Sequence, residues 1–171
     1  MPTYDTSRAF CTQQDVFDYG GYTWTDSPAS TPSATAVEGF AYAKASDLVL
    51  ATQRSGLRVT PPYSGISDTH LANTLKQANA KGAAYEAWRV MAAKNPDDWA
   101  IEQRDQLRQD WLAACGFFDK EGTWVPGSVG AAVESAIRAR VISNDVTEGE
   151  TTLPTHDAEE RPYPFAMTDR L

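Results

Sequence analysis

The residues that could serve as catalytic bases or metal ligands are few and widely separated. His70 and His156 are the two imidazoles, and Cys11 and Cys115 are the two thiols. Nucleophilic catalysis needs a nucleophile beside a base that a third group orients. A structural zinc site needs about four ligands at characteristic spacings, and these residues show no CxxC or HxxxH pairing. The sequence therefore predicts two free thiols, no catalytic residue and no metal site.

Paired carboxylates are the other groups that could perform acid–base chemistry. Asp97 and Asp98 stand at the start of a predicted helix, where the positive end of the helix dipole accounts for them. Glu159 and Glu160 lie in an acidic C-terminal stretch and are interpreted as solvated charge. The sequence contains no GxGxxG, GxxxxGK[ST], GxSxG or HExxH motif. We therefore expect neither an enzyme nor a bound cofactor.

Negative charge is concentrated at the C-terminal end of the chain. The 171 residues carry a net charge of −8, and residues 143–171 hold 2 basic and 7 acidic residues. The remaining 142 residues hold 13 basic and 16 acidic residues and show no basic stripe. Sequence-specific or phosphate-clamping contacts with nucleic acid are therefore not expected. No apolar run approaches 18 residues, and the N-terminus has no signal-peptide pattern, so no membrane association is expected.

Apolar residues at spacings of three and four predict a mainly α-helical protein. Thr12 and Ser67 or Asp68 are predicted N-caps, and Asn95 followed by Pro96 predicts a tight connection that starts a new helix. The third and fourth helices are expected to form a long antiparallel hairpin. The predicted helices cover 13–18, a start at 33 or 35 to about 53, about seven turns beginning at 67 or 68, 96–115, and 128 to about 141.

Two further elements follow the helical hairpin. Two short apolar segments around a four-residue turn predict a β-hairpin at 117–125. Residues 143–171 hold three prolines and seven acids without periodicity, so they are predicted to form an extended arm. The expected organisation is one helical domain over 1–142, containing the β-hairpin, and an arm over 143–171.

Five tryptophans are numerous for this length. Packing is the default explanation for Trp88, Trp99 and Trp111 on the predicted hairpin, and an interface with a partner is the alternative. Trp24, in a loop rich in Ser, Thr and Pro, and Trp99, beside the inter-helix connection, are candidate anchors for a partner protein.

An apolar patch also ends the acidic arm. It comprises Tyr163, Pro164, Phe165, Met167 and Leu171. One interpretation is an unattached terminus. The other is a segment that docks into the groove of a neighbouring subunit. We hypothesise that Tyr163, Phe165 and Leu171 anchor such a segment.

The order of elements over about residues 10–116 resembles a known family. A short helix of the type T-x-x-D-hydrophobic, Thr12 to Val16, precedes a helix with an A-S-x-L-V element, Ala45 to Val49. A crossover containing Gly and Pro follows, and then a long helix rich in Ala and Tyr pairs with a last amphipathic helix that ends at Gly116. This pattern resembles the head-to-tail connector, or adaptor, proteins of tailed bacteriophages.

The resemblance implies a non-enzymatic virion protein, assembled in the host cytoplasm. About a dozen copies would form a ring below the portal protein, complete the head, and present a platform for the next neck or tail protein. DNA would pass through the lumen without sequence-specific binding. An acidic chain suits such a ring, because phosphates are repelled and not gripped.

Two alternatives of other classes remain open. The first is a small cytosolic module that binds one partner, or acts as an assembly chaperone, through the helical hairpin. The second is an enzyme whose site combines His70 with acids of the third and fourth helices.

Overall fold

A computed structural model of the protein describes residues 4–148, with side chains described as far as Arg140. The chain is mainly α-helical with one small antiparallel sheet, which confirms the predicted fold class. Short 3-10 turns lie at Thr6–Arg8 and Tyr63–Gly65. Among the described residues, no helix combines the length and the apolar character needed to cross a membrane. The main elements are α1 (Gln13–Gly20), α2 (Ala34–Arg54), α3 (Thr69–Lys94), α4 (Asp98–Cys115), β1 (Phe117–Phe118), β2 (Trp124–Val125) and α5 (Ser128–Glu148).

The first three helices begin at the capping residues that the sequence indicates. Thr12 and Asp15 form a capping box at α1, in which each side chain accepts a hydrogen bond from the other residue's backbone N–H. Ser33 caps α2, and Asp68 caps α3 by accepting from the Leu71 N–H at 2.8 Å. Gly21 ends α1 in the left-handed conformation, with φ +62°, which glycine adopts at little cost.

The start of α4 differs from the prediction. Asn95 is the C-cap of α3 and not the N-cap of α4. The Asp97 carboxylate caps α4 by accepting from the Ala100 N–H at 2.6 Å, and Asp98 is the first helical residue. A carboxylate at this position satisfies a free N–H and meets the helix dipole as well, so it displaces the cap from Asn95. Both aspartates therefore have the structural role expected of them.

The α3–α4 hairpin is confirmed, and α3 is the central element of the fold. Lys81 Nζ lies 2.9 Å from Asp110 Oδ2, and Trp88 contacts Trp99 farther along, as antiparallel pairing requires. Gly82 packs against Trp111 so closely that a Cβ on Gly82 would lie 2.5 Å from the ring. The α3 helix packs against α1, α2, α4 and α5. Its small buried residues permit this close approach on several sides: Ala78, Ala80, Gly82, Ala83 and Ala84.

The core divides into two clusters that meet at Asn79. One cluster surrounds Trp24 and Trp88, and the other surrounds Leu48 and Leu75. The buried Asn79 amide accepts a hydrogen bond from the Phe10 N–H at 2.8 Å and donates one to the Ala41 carbonyl at 2.9 Å. This side chain therefore joins α3 to α2 and to the N-terminal segment, and it satisfies two buried backbone groups.

The β-hairpin is also confirmed. Phe117 pairs with Val125, and Phe118 pairs with Trp124. The Asp119 carboxylate closes the turn by accepting from the N–H groups of Glu121 and Thr123.

The end of α5 was predicted wrongly. The helix continues to Glu148, so residues 143–148, predicted as part of the arm, are helical. The change in charge at 143 marks no break in the helix, and Gly149 is the first strong helix breaker after Ser128 and Gly130. The rest of the predicted arm, residues 149–171, lies outside the described residues. So do His156 and the proposed anchors Tyr163, Pro164, Phe165, Met167 and Leu171.

Candidate interaction surface

His70, Cys11 and Cys115, the described residues that could act as a base or as nucleophiles, do not form a common site. His70 is exposed in the first turn of α3. Cys11 and Cys115 are free thiols that belong to different core clusters. Burial raises the pKa of each thiol to about 12, so both are protonated near neutral pH and are poor nucleophiles. Within residues 4–140, no three His, Cys, Asp or Glu side chains are grouped to hold a metal ion.

Trp24 is a core residue, so its prediction as an exposed anchor is wrong. Its side chain is 1% exposed and packs against Phe17 and Trp88. The loop after α1 turns back over this helix, and Gly20 leaves room for the indole. A Cβ on Gly20 would lie 2.6 Å from the Trp24 ring. Composition indicated a surface loop correctly, but the one large apolar side chain of that loop points inward.

Trp99 lies at the surface beside the α3–α4 connection, where the sequence placed it. It is 52% exposed, and its ring meets the buried Trp88 edge-on at a centroid distance of 4.6 Å. Tyr22 is also exposed and contacts Trp88 from the loop after α1. Trp88 Nε1 donates to the Gly20 carbonyl at 2.9 Å, which fixes the buried ring. We call Tyr22, Trp24, Trp88 and Trp99 the aromatic corner.

A second exposed apolar surface lies at the other end of α4, and the sequence analysis missed it. Phe118 is 60% exposed, and its exposed apolar neighbours come from α2, α4 and the β-hairpin. We call this surface the hairpin patch. One signal was present in the sequence, because side chains alternate along a strand and two consecutive Phe residues cannot both face one core. Its members are Leu50, Leu112, Phe117, Phe118 and Val125.

A groove of about 350 Å³ adjoins the hairpin patch between α2, α4 and the β-hairpin. The Arg54 guanidinium lies 5.2 Å from the Trp124 ring centre, and Trp124 meets Phe118 edge-on at 5.0 Å. Trp124 Nε1 is shielded from solvent and has no hydrogen-bond acceptor among the described residues. We call this the hairpin groove. Its apolar and aromatic lining consists of Leu50, Ala51, Trp111, Leu112, Cys115, Phe117, Phe118 and Trp124.

Two glycines hold the β-hairpin against the end of α4. Gly116 has φ +91°, and a Cβ there would lie 2.5 Å from the Val125 carbonyl oxygen. Gly127 approaches the Ala114 carbonyl too closely for a side chain. Close backbone contact of this kind needs glycine, so the position of the groove wall follows from these two residues.

Lys44 packs against Trp111, one of the residues that line the hairpin groove. Its ammonium lies 3.0 Å from Glu86 Oε1 and 5.0 Å from the centre of the Trp111 ring, which lines the groove. Burial would raise the pKa of Glu86, but its contacts with Arg89 and Lys44 hold that pKa below the ordinary value. The carboxylate therefore stays charged and keeps Lys44 beside the indole.

Comparison of the chain with protein-family models, curated proteins and solved structures finds no match. The two exposed apolar surfaces and the resemblance noted in the sequence are the features that point to a function.

Proposed function

We propose that this protein is a non-enzymatic structural component of a tailed-phage virion. In this proposal it forms a ring between the portal and the next neck or tail protein, completes the head, and lines the channel through which DNA passes. The resemblance over residues 10–116 suggests this role, and the helical hairpin expected from it is present.

The observation that carries the proposal is the presence of two unlike apolar surfaces at opposite ends of α4. The 18 residues of this helix separate the aromatic corner from the hairpin patch by about 27 Å. A subunit that joins its neighbour through two different surfaces makes a head-to-tail contact, and such contacts form a ring when the rotation between subunits closes. A symmetric dimer would need only one self-complementary surface.

The charge of the chain supports the same role. Residues 1–142 are nearly balanced, and five of the eight net negative charges belong to residues 143–171. A channel built from such subunits offers no strong electrostatic grip on phosphates, because binding to DNA depends on neutralising them with Lys and Arg.

Negative-stain electron microscopy tests the proposal directly. The purified protein is imaged alone and after mixing with the portal protein encoded nearest to its gene. We expect rings, or added density below the portal. A protein that stays monomeric and leaves the portal unchanged at micromolar concentration would refute it.

A partner-binding or assembly-chaperone module is the second candidate, and the exposed Trp99 favours it. Tryptophan is enriched among the residues that dominate binding energy at interfaces. The two proposals differ in stoichiometry. A complex of one copy with one partner, with no ring in any mixture, would support the module.

A further inference from the structure

The hairpin groove has the character of a peptide-binding site. It is concave, lined by aromatic and aliphatic side chains, and bordered by an exposed apolar patch. Contiguous exposed apolar surfaces of this kind mark docking sites.

The chain itself carries a segment of matching chemistry. Residues 149–160 are polar and acidic, whereas Pro162–Met167 reads PYPFAM. Proline-containing segments dock in aromatic-lined grooves because proline restricts the backbone before binding, so less conformational entropy is lost. The flanks are complementary in charge as well, since Glu160 and Arg161 can pair with Arg54 and Asp47 of the groove.

We propose that the hairpin groove binds residues Pro162–Met167 of the same chain, with Tyr163 and Phe165 as the apolar anchors. The proposal concerns the isolated chain and does not depend on ring formation.

The residues between α5 and the docking segment are long enough to lead the chain back to the hairpin groove. The α5 helix begins beside the groove wall, where Gly127 packs on Ala114, and its 21 residues extend about 31 Å. Residues 149–161 can span up to about 43–47 Å when extended. A tethered segment of this length has an effective concentration in the millimolar range, so even a weak site is occupied.

Disulfide trapping in the full-length protein tests this assignment. Cys115 lines the groove, and an Ala166→Cys substitution places a thiol beside Phe165 without removing either anchor. The matched control is Ala166→Cys combined with Tyr163→Ser and Phe165→Ser, which keeps the loop length and removes both anchors. Glutathione disulfide is the oxidant, and the products are followed by non-reducing electrophoresis and peptide mass spectrometry. Both variants use the same Cys115, so its low reactivity affects them equally.

We expect Ala166→Cys alone to form the intramolecular disulfide at least fivefold faster than this control. An undocked chain predicts equal rates, because both variants close a loop of the same length. Equal rates, or a faster control, would overturn the proposal. A disulfide-linked dimer in place of the monomeric product would overturn it in favour of docking between two copies.

Discussion

The aromatic corner and the hairpin patch contain the same kinds of side chain in opposite situations. In the corner, Trp24 and Trp88 are buried, and Trp88 Nε1 donates to the Gly20 carbonyl. In the hairpin, Phe117 and Phe118 are at least half exposed. Each region also holds one shielded indole N–H without an acceptor among the described residues, that of Trp24 in the corner and that of Trp124 in the hairpin. Edge-on aromatic contacts occur in both regions. Ring contacts alone therefore do not distinguish a core from a surface.

The difference lies in what covers the rings. The loop after α1 folds over the corner and delivers Tyr22 and Trp24 to Trp88. The hairpin patch has no such cover within residues 4–148. Rings that the chain covers, such as Trp24 and Trp88, contribute to stability, whereas exposed rings, such as Trp99 at the corner and Phe118 in the hairpin patch, are available for binding. The following predictions test this distinction.

The largest expected effect is the loss of a buried ring from the corner. Trp88→Ala should lower the free energy of unfolding by about 3–5 kcal/mol, because it leaves a large cavity and removes the bond to the Gly20 carbonyl. The matched control is Trp99→Ala, which removes an exposed tryptophan and should cost about 0.5–1.5 kcal/mol. Urea denaturation followed by circular dichroism measures both. Equal costs would contradict the division between buried and exposed rings.

The second-largest effect on stability is expected at Asn79, where the two core clusters meet. Asn79→Ala leaves the Phe10 N–H buried without a partner and removes the bond to the Ala41 carbonyl, which should cost about 1–3 kcal/mol. Asn73→Ala, at an exposed position of the same helix, is the control and should change stability little. Urea denaturation again provides the comparison. If the two variants are equally stable, Asn79 does not join the clusters.

A smaller effect on stability is expected at low pH for Asp15, in the helix α1 that precedes the loop over the aromatic corner. Burial would raise the pKa of Asp15, but hydrogen bonds from Thr12 and the contact with Lys76 hold it below its ordinary value of 3.8. Its stabilising effect is therefore complete above that value and disappears as the pH falls through the lowered pKa.

The test of this effect compares unfolding at pH 6 and pH 2.5. Asp15→Asn should reduce the acid-induced loss of stability by about 0.5–1 kcal/mol, the range of a partly exposed ion pair. Asp18→Asn, at an exposed position of the same helix, serves as control. If Asp15→Asn loses as much stability between pH 6 and pH 2.5 as the unmodified protein does, the ion pair between Asp15 and Lys76 does not contribute to stability.

The smallest expected effect on stability belongs to the hairpin patch. Phe118→Ser should change the free energy of unfolding by less than about 0.5 kcal/mol, because the ring is 60% exposed. In the proposed function the hairpin patch is part of the ring interface, so Phe118→Ser should reduce ring formation with the portal at least fivefold. Lys120→Ser, in the turn of the same hairpin, is the control for both measurements. Unchanged assembly by Phe118→Ser would remove the hairpin patch from the ring interface.

Much of the local structure could be predicted from the sequence. Thr12 and Asp68 cap helices as expected, α2 begins directly after Ser33, one of its two predicted starts, and the β-hairpin forms at the predicted residues. The candidate surface was harder to predict, because Trp99 was identified but Phe118 was not. A two-residue strand has too few positions for its alternation to reveal which side is covered.

The sequence by itself determined the helices, most of their caps and the order of elements, because these depend on interactions between residues a few positions apart. Only the tertiary structure decided that Trp24 is buried, that Phe118 is exposed, and that Asn79 joins two clusters. Each of these outcomes depends on which distant segment packs against the residue. Asn79, for example, bonds to Phe10 and Ala41, which lie 69 and 38 positions away along the chain.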